Sequence, residues 1–230
     1  MHAAIGRGAA RYAAQRLGLI ALFAVLLFAA AGTGDWPRGW AYVLVLLAIE
    51  VVTLALFVLR APAMLERRGR AGAGVERYDR VFAGLYLVLG VVTPVVAGLD
   101  AVRCHWTALP WWLFWVGLAV LLPAEVLGTW AMLVNEHFEQ FGRIQADRDH
   151  RVVTSGPYAI VRHPGYLGAI LGALVTPLML GSAWTFVPAG LAAALFVART
   201  ALEDLMLRRK LPGYEDYARH VRFRLLPGLW

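Results

Sequence analysis

The sequence predicts an all-α polytopic membrane protein with about six membrane-embedded helices, a C-terminal helical hairpin among them, and helical segments on the cytoplasmic side. Three observations carry this prediction. Long apolar tracts recur along a chain that is 60% hydrophobic and only 16% charged, where a globular domain carries about a quarter charged residues. The positive residues are sorted between alternate loops. Tryptophans 36, 40, 106, 111, 112 and 184 cluster near tract ends, where amphipathic rings suit the headgroup zone.

The first tract, Leu17–Gly32, follows Arg7, Arg11 and Arg16. A basic start, an apolar middle and Ala29–Ala31 imitate a signal peptide, but further tracts follow, so retention as a first span is expected. Trp40–Leu59, Val81–Leu99 and Trp111–Val134 are the next three tracts, each near the roughly 20 residues that cross the hydrocarbon. Tyr166–Ala198 is too long for one ordinary span and is interrupted by Pro177, Gly181 and Ser182. Two helices of about 14 to 16 residues joined by a tight turn fit it, each short for a perpendicular crossing. Gly84, Gly90, Gly168 and Gly172 are expected to allow close helix contacts. The organisation divides into N-terminal transmembrane helices at 1–125 and a C-terminal core with hairpin and tail at 126–230.

Twenty of the 22 positive residues lie before the first tract, in alternate loops, or after the hairpin; only Arg38 and Arg103 fall elsewhere. Positive residues favour the cytoplasmic side, so both termini and the Arg60–Arg80 and Asn135–Pro164 loops are expected there. Topology and anionic lipid account for the net charge of +7 without nucleic acid. The only cysteine, Cys104, excludes an internal disulfide and a cysteine-rich metal site, and no metal is expected. An Ala, Gly, Arg and Leu bias, with Lys210 the single lysine, points to a GC-rich bacterial genome and hence to a bacterial cytoplasmic membrane.

Glu50 and Glu125 lie inside apolar tracts, where an ionised carboxylate needs a partner or a wet cavity. A structural hydrogen bond is the simpler reading for Glu50. Glu125 is balanced between structure and function, because its tract leads directly into Asn135–Phe138. The densest polar region, 150–166, reads HRVVTSGPYAIVRHPGY. Gly156–Pro157 is a turn signal, and Pro164 suits a helix start, where its missing donor costs nothing. Arg162 and His163 then stand at the hairpin's opening with Tyr158 and Tyr166. Singly they read as a snorkelling arginine and a cap; together they point to a pocket. Glu203 and Asp204 return to the same face after the hairpin. Adjacent carboxylates on a helix diverge, so one enters the pocket and the other pairs with Arg208, four residues beyond Asp204. The basic, amphipathic tail suits either the bilayer surface or a lid over a nucleotide-like ligand and a buried acceptor.

His150, Gly156–Pro157–Tyr158, Arg162–His163–Pro164–Gly165–Tyr166 and, beyond an apolar hairpin, Glu203–Asp204 resemble the isoprenylcysteine carboxyl methyltransferase family, within a wider group of membrane phospholipid and thiol methyltransferases. The resemblance runs from about Val126 to Trp230. It implies an S-adenosylmethionine-dependent enzyme with a cytoplasmic-side cofactor pocket and a hydrophobic acceptor arriving from the membrane. It further implies that His150, Gly156, Pro157, Tyr158 and Tyr166 shape the cofactor pocket and that His163 contacts the cofactor. Glu203 would hold a polar end such as the amino group, with Asp204 beside it. Related sequences usually carry Glu-Glu where this chain has Glu203–Asp204. Arg162 is expected to orient an acceptor carboxylate by its planar fork; for a thiol or amine acceptor, His163, Glu125 or a tyrosine would serve as base. The other classes are N- or S-methylation of a phospholipid or hydrophobic thiol, and a non-catalytic transporter or scaffold. Polar density on one face, without an inverted repeat, disfavours transport.

Overall fold

The computed structural model describes residues 6–68, 76–138 and 151–230, and among these there is no strand. Eight α-helices follow in order: α1 (Arg7–Ala31), α2 (Pro37–Arg60), α3 (Pro62–Arg68), α4 (Arg77–Gly98), α5 (Trp112–Val134), α6 (Pro164–Leu180), α7 (Phe186–Lys210) and α8 (Tyr214–His220). A π-helical turn at Leu99–Arg103 extends α4, and a 3-10 turn occupies Gly156–Ala159. α1, α2, α4 with its extension, α5 and α7 are long and apolar enough to cross a membrane, whereas α6 has 17 residues. Among the described residues the count is therefore five candidate spans and one shorter apolar helix.

Leu44, Val51, Val52, Leu59, Leu87 and Val88 point outward and are exposed. Such a surface is stable only against hydrocarbon, and the chain is an integral membrane protein. α1 packs on α2, α3 and α4; α4 on α7; α7 on α6; and α6 on α5 and α2. The expected division after residue 125 falls inside the continuous helix α5.

Helix ends differ from the apolar tracts wherever a distant side chain satisfies them. α1 starts ten residues before its tract because Glu66 accepts hydrogen bonds from the Gly8 and Ala9 amides at 3.0 and 2.9 Å, capping orphan donors from 57 and 58 residues away. α6 runs through Pro177 and stops at Gly181, whose φ of 82° suits a residue without Cβ. Its last carbonyls, of Leu178 and Met179, accept from the buried Arg38, which also binds Leu109 and Pro110 carbonyls. Asp100, fully buried, holds the turn that follows: it accepts from Ser182 Oγ, the Trp184 amide at 3.1 Å and Thr107 Oγ1 at 2.7 Å. α7 then runs 25 residues, so the second half of the hairpin is longer than its sequence suggests. Glu203 and Asp204 sit within this helix and not at its end.

The glycine expectation holds at Gly168, where a Cβ would lie 2.6 Å from the Ala124 carbonyl oxygen of α5. A Cβ at Gly172 would make only ordinary contacts, at 3.6 Å and beyond, and one at Gly84 or Gly90 would meet nothing within 4 Å. Gly98 makes the close approach instead, with Leu27 O 2.5 Å from its would-be Cβ. Arg16 also departs from the loop reading. It lies within α1 and donates to Glu50 of α2, with Nη2–Oε2 at 2.7 Å, an interhelical pair that satisfies the acid inside the apolar layer.

Candidate active site

The 3-10 turn, the start of α6, the last turns of α7, α8 and the C-terminal tail converge at one end of the bundle. Gly156 takes φ 59°, and a Cβ there would lie 3.1 Å from Val134 of α5. Pro157 and Tyr158 behind it are buried. The Tyr158 hydroxyl accepts from Asn135 Nδ2 at 3.2 Å, and Tyr217 donates to the Tyr158 carbonyl at 2.7 Å. Burial pushes the Tyr158, Tyr214 and Tyr217 phenols well above their ordinary range, so all three remain protonated donors at neutral pH. The turn braces α5 against α8.

Asp204 is the hub. It is 1% exposed and accepts from Arg162 Nε at 2.7 Å and Nη2 at 3.2 Å, Arg208 Nε at 3.1 Å, Arg224 Nε at 3.0 Å and the Tyr214 hydroxyl at 3.0 Å. His163 Nε2 stands 3.6 Å away. The Arg162 Nη1 group donates to the Val221 and Arg222 carbonyls at 2.7 and 2.8 Å. Main-chain bonds add to this: the Arg162 amide donates to Phe223 O and the His163 amide to Arg224 O. The tail is thereby strapped across the start of α6.

This geometry shows how Arg162 and Asp204 are engaged within the protein. The Arg162 fork grips Asp204 and the tail carbonyls and is not held open for an acceptor. The Asp204 carboxylate is consumed by protein donors and has no face left for a ligand. His163, buried at the N-cap of α6, turns Nε2 toward Asp204 and Tyr214, 3.6 and 3.5 Å away. The pairing of Asp204 with Arg208 agrees with the sequence reading. His150 lies outside the described residues.

Glu203, one residue on, points elsewhere. Tyr166 donates to its Oε2, and Arg199 Nε lies 4.0 Å from the same oxygen. The Tyr166 ring stacks on His163 at 5.6 Å between centroids and 7° between planes. The Arg199 guanidinium lies over the Tyr166 and Phe82 rings, 5.0 and 4.5 Å from their centroids, and pairs with the fully buried Asp79 of α4, Nε–Oδ1 2.8 Å. Sequence reasoning missed Asp79 and Arg199. The available signal was the spacing of Arg199 and Glu203, four residues apart on one helix face. Glu125 joins neither cluster: it is half-buried near Gly172 and within electrostatic reach of Arg16 and Glu50.

The arrangement separates two tasks. Asp204 and its arginines hold four chain segments together, while Tyr166, Glu203 and Arg199 present a carboxylate and a positive charge on an aromatic floor. Arg162→Lys is expected to lower unfolding stability by about 2–4 kcal/mol, because a lysine leaves Asp204 and two carbonyls short of donors in a buried site. Thermal unfolding in detergent measures this; an unchanged melting temperature would contradict the strap.

Comparisons with known proteins agree on what this end of the molecule resembles. Residues 115–209 match the model of the isoprenylcysteine carboxyl methyltransferase (ICMT) family. The Oryza sativa subsp. indica "Probable protein-S-isoprenylcysteine O-methyltransferase" is 32% identical over 114 residues, 48% of this chain and 60% of the rice protein. Protein-S-isoprenylcysteine O-methyltransferase B of Arabidopsis thaliana is 32% identical over 71 residues, 30% and 36% of the two chains. The Schizosaccharomyces pombe protein-S-isoprenylcysteine O-methyltransferase is 36% identical over 66 residues, 28% of each. The chain thus covers less than two thirds of each of these relatives. The structure of the eukaryotic intramembrane Ras methyltransferase ICMT superposes with a TM-score of 0.57 over 93% of this chain and 75% of that one, at 22% identity, a likeness of fold. Residues 115–209 are thus similar to the isoprenylcysteine carboxyl methyltransferase family, and the fold of the chain is like that of a solved member.

Proposed function

We propose that the protein transfers a methyl group from S-adenosylmethionine to the carboxylate of a membrane-embedded acceptor, lipid-like or of the isoprenylcysteine type. The observation that carries this reading is the Tyr166–Glu203–Arg199 constellation at one end of a lipid-facing bundle, within a segment that matches the family. Its residues fit the cofactor in chemistry. Glu203 is engaged at Oε2, while Oε1 has no partner among the described residues and remains available to an ammonium group. Gly156, Pro157 and Tyr158 form the buried turn behind His163 and Tyr166.

When bound, S-adenosylmethionine supplies an electrophilic methyl carbon, so the protein has to position and desolvate more than activate. A carboxylate acceptor is already nucleophilic at neutral pH and needs no base, in keeping with the inward orientation of His163. We assign the orienting positive charge to Arg199 in place of Arg162. Its guanidinium is fixed by Asp79 and the Phe82 and Tyr166 rings, so little rotamer freedom remains to be lost on binding. Arg208 and Arg224, partly exposed around Asp204, together with Arg219 and Arg222, give the tail a surface suited to anionic lipid headgroups.

Labelled-methyl transfer into membranes, followed by alkaline hydrolysis of the product, tests the acceptor class. A carboxyl methyl ester releases its label as methanol, and this is the expected result. Label that survives base would indicate methylation at nitrogen or sulfur and overturn the carboxylate reading. Arg199→Gln is expected to reduce base-labile product at least 10²-fold through loss of orientation.

The proposed orientation places both termini and the site in the cytoplasm of a bacterial inner membrane. Cys104, which is exposed, then faces outward and reacts with an impermeant thiol reagent in intact cells. A cysteine replacing Thr154 in a Cys104→Ser background reacts only after permeabilisation. The reverse pattern would reject this topology.

A further inference from the structure

α4 contributes more to the site than the Asp79 carboxylate. It lies antiparallel against α7, and three contacts set the register between them. Glu76 Oε1 pairs with Lys210 Nζ at 2.7 Å, Asp79 pairs with Arg199 at 2.8 Å, and Phe82 meets Phe196 edge-on at 5.1 Å. Tyr78 falls between the first two rungs, at the level of Glu203. It shares a helix face with Phe82, four residues on, and Phe82 already lies beneath the Arg199 guanidinium. Glu203, Asp79, Arg199 and Glu76 are the charged neighbours of Tyr78.

The Tyr78 hydroxyl is buried and has no hydrogen-bond partner among the described residues. An orphan buried hydroxyl forfeits its hydration without compensation, and such groups are uncommon in native proteins. Glu203 has the complementary vacancy, since Tyr166 and Arg199 both address Oε2. Among the described residues no donor reaches Oε1. One phenol oxygen and one carboxylate oxygen therefore stand at the same level of the α4–α7 seam, each short of a partner. A positively charged group that donates in two directions reaches a lone pair on each oxygen, and a primary ammonium does this with three N–H donors. A carboxylate does not, because it would meet Glu203 with like charge.

We propose that Tyr78 and Glu203 form a receptor for a primary ammonium, the α-amino group of S-adenosylmethionine, with Tyr78 Oη and Glu203 Oε1 each accepting one N–H. This inference rests on the methyltransferase reading and adds to it a binding residue from α4, outside the segment matched by the family model. The amino-acid end of the cofactor is thereby anchored on α4 and α7 together, the two helices whose seam also fixes Arg199.

Equilibrium binding to the full-length, detergent-purified protein tests the assignment with two probes. S-adenosylmethionine carries the ammonium, and 5′-methylthioadenosine lacks the whole amino-acid end. Tyr78→Phe is expected to weaken S-adenosylmethionine by about tenfold or more, the usual worth of a hydrogen bond to a charged group. Its affinity for 5′-methylthioadenosine should be unchanged. The ligand-free variant should melt no lower than wild type, since it loses only an unpartnered hydroxyl. Equal loss for both probes, no loss for either, or a lowered melting temperature would overturn the role of Tyr78. A wild-type protein that binds neither probe would refute the methyltransferase reading itself, and with it this inference.

Discussion

One buried carboxylate holds this site together. Asp204 gathers Arg162 from the start of α6, Arg208 from its own helix, Tyr214 from α8 and Arg224 from the tail. Removing a carboxylate from water costs several kcal/mol, and the cost is met only when its lone pairs are well filled. Here five donors fill them. The same constraint fixes the path of the chain after α7: the tail has to return over α6 to bring Arg224 to Asp204, and in doing so it accepts the Arg162 and His163 amides. The short side chain of Asp204 draws three guanidinium groups close to the helix.

With Asp204 filled by protein donors, Glu203 is the acid of the pair whose Oε1 has no partner among the described residues. Consecutive helix positions diverge by about 100°, so the two acids address different neighbours from one turn of α7. Glu203 faces Tyr166 and, across the seam, α4. Three rungs along that seam, Glu76–Lys210, Asp79–Arg199 and Phe82–Phe196, set the level at which each α4 side chain meets the site. The aromatic floor of Tyr166 and Phe82 under Arg199 excludes water from the place where charge is needed, which strengthens every electrostatic contact there. Fold and chemistry thus share residues: α4 is at once a membrane span and a wall of the site.

Apolar length and charge sorting made the spans and their number nearly legible, because lipid forces every backbone group into a helix. The Arg-His-Pro-Gly-Tyr run and the acidic pair, with Asp204 toward Arg208, were legible for the same local reason. What the sequence could not disclose are the partners that meet across long separations. Glu66 extends α1 from 57 and 58 residues away, Arg38 caps α6 across about 140 residues, and Asp79 meets Arg199 across 120. Arg162 is a case of the same kind: as a bare residue it suggests an acceptor clamp, and the return of the tail brings its donors to Asp204 and the Val221 and Arg222 carbonyls.

The central claim is that the two adjacent acids divide structure from ligand binding. Paired measurement of melting temperature and S-adenosylmethionine affinity in Asp204→Asn and Glu203→Gln tests it most directly. The account predicts that Asp204→Asn loses about 3–5 kcal/mol of stability, the usual cost of breaking a buried charge cluster. Glu203→Gln should melt near wild type but bind the cofactor at least tenfold more weakly. The opposite pattern, a stable Asp204→Asn that fails to bind and an unstable Glu203→Gln that binds normally, would contradict it.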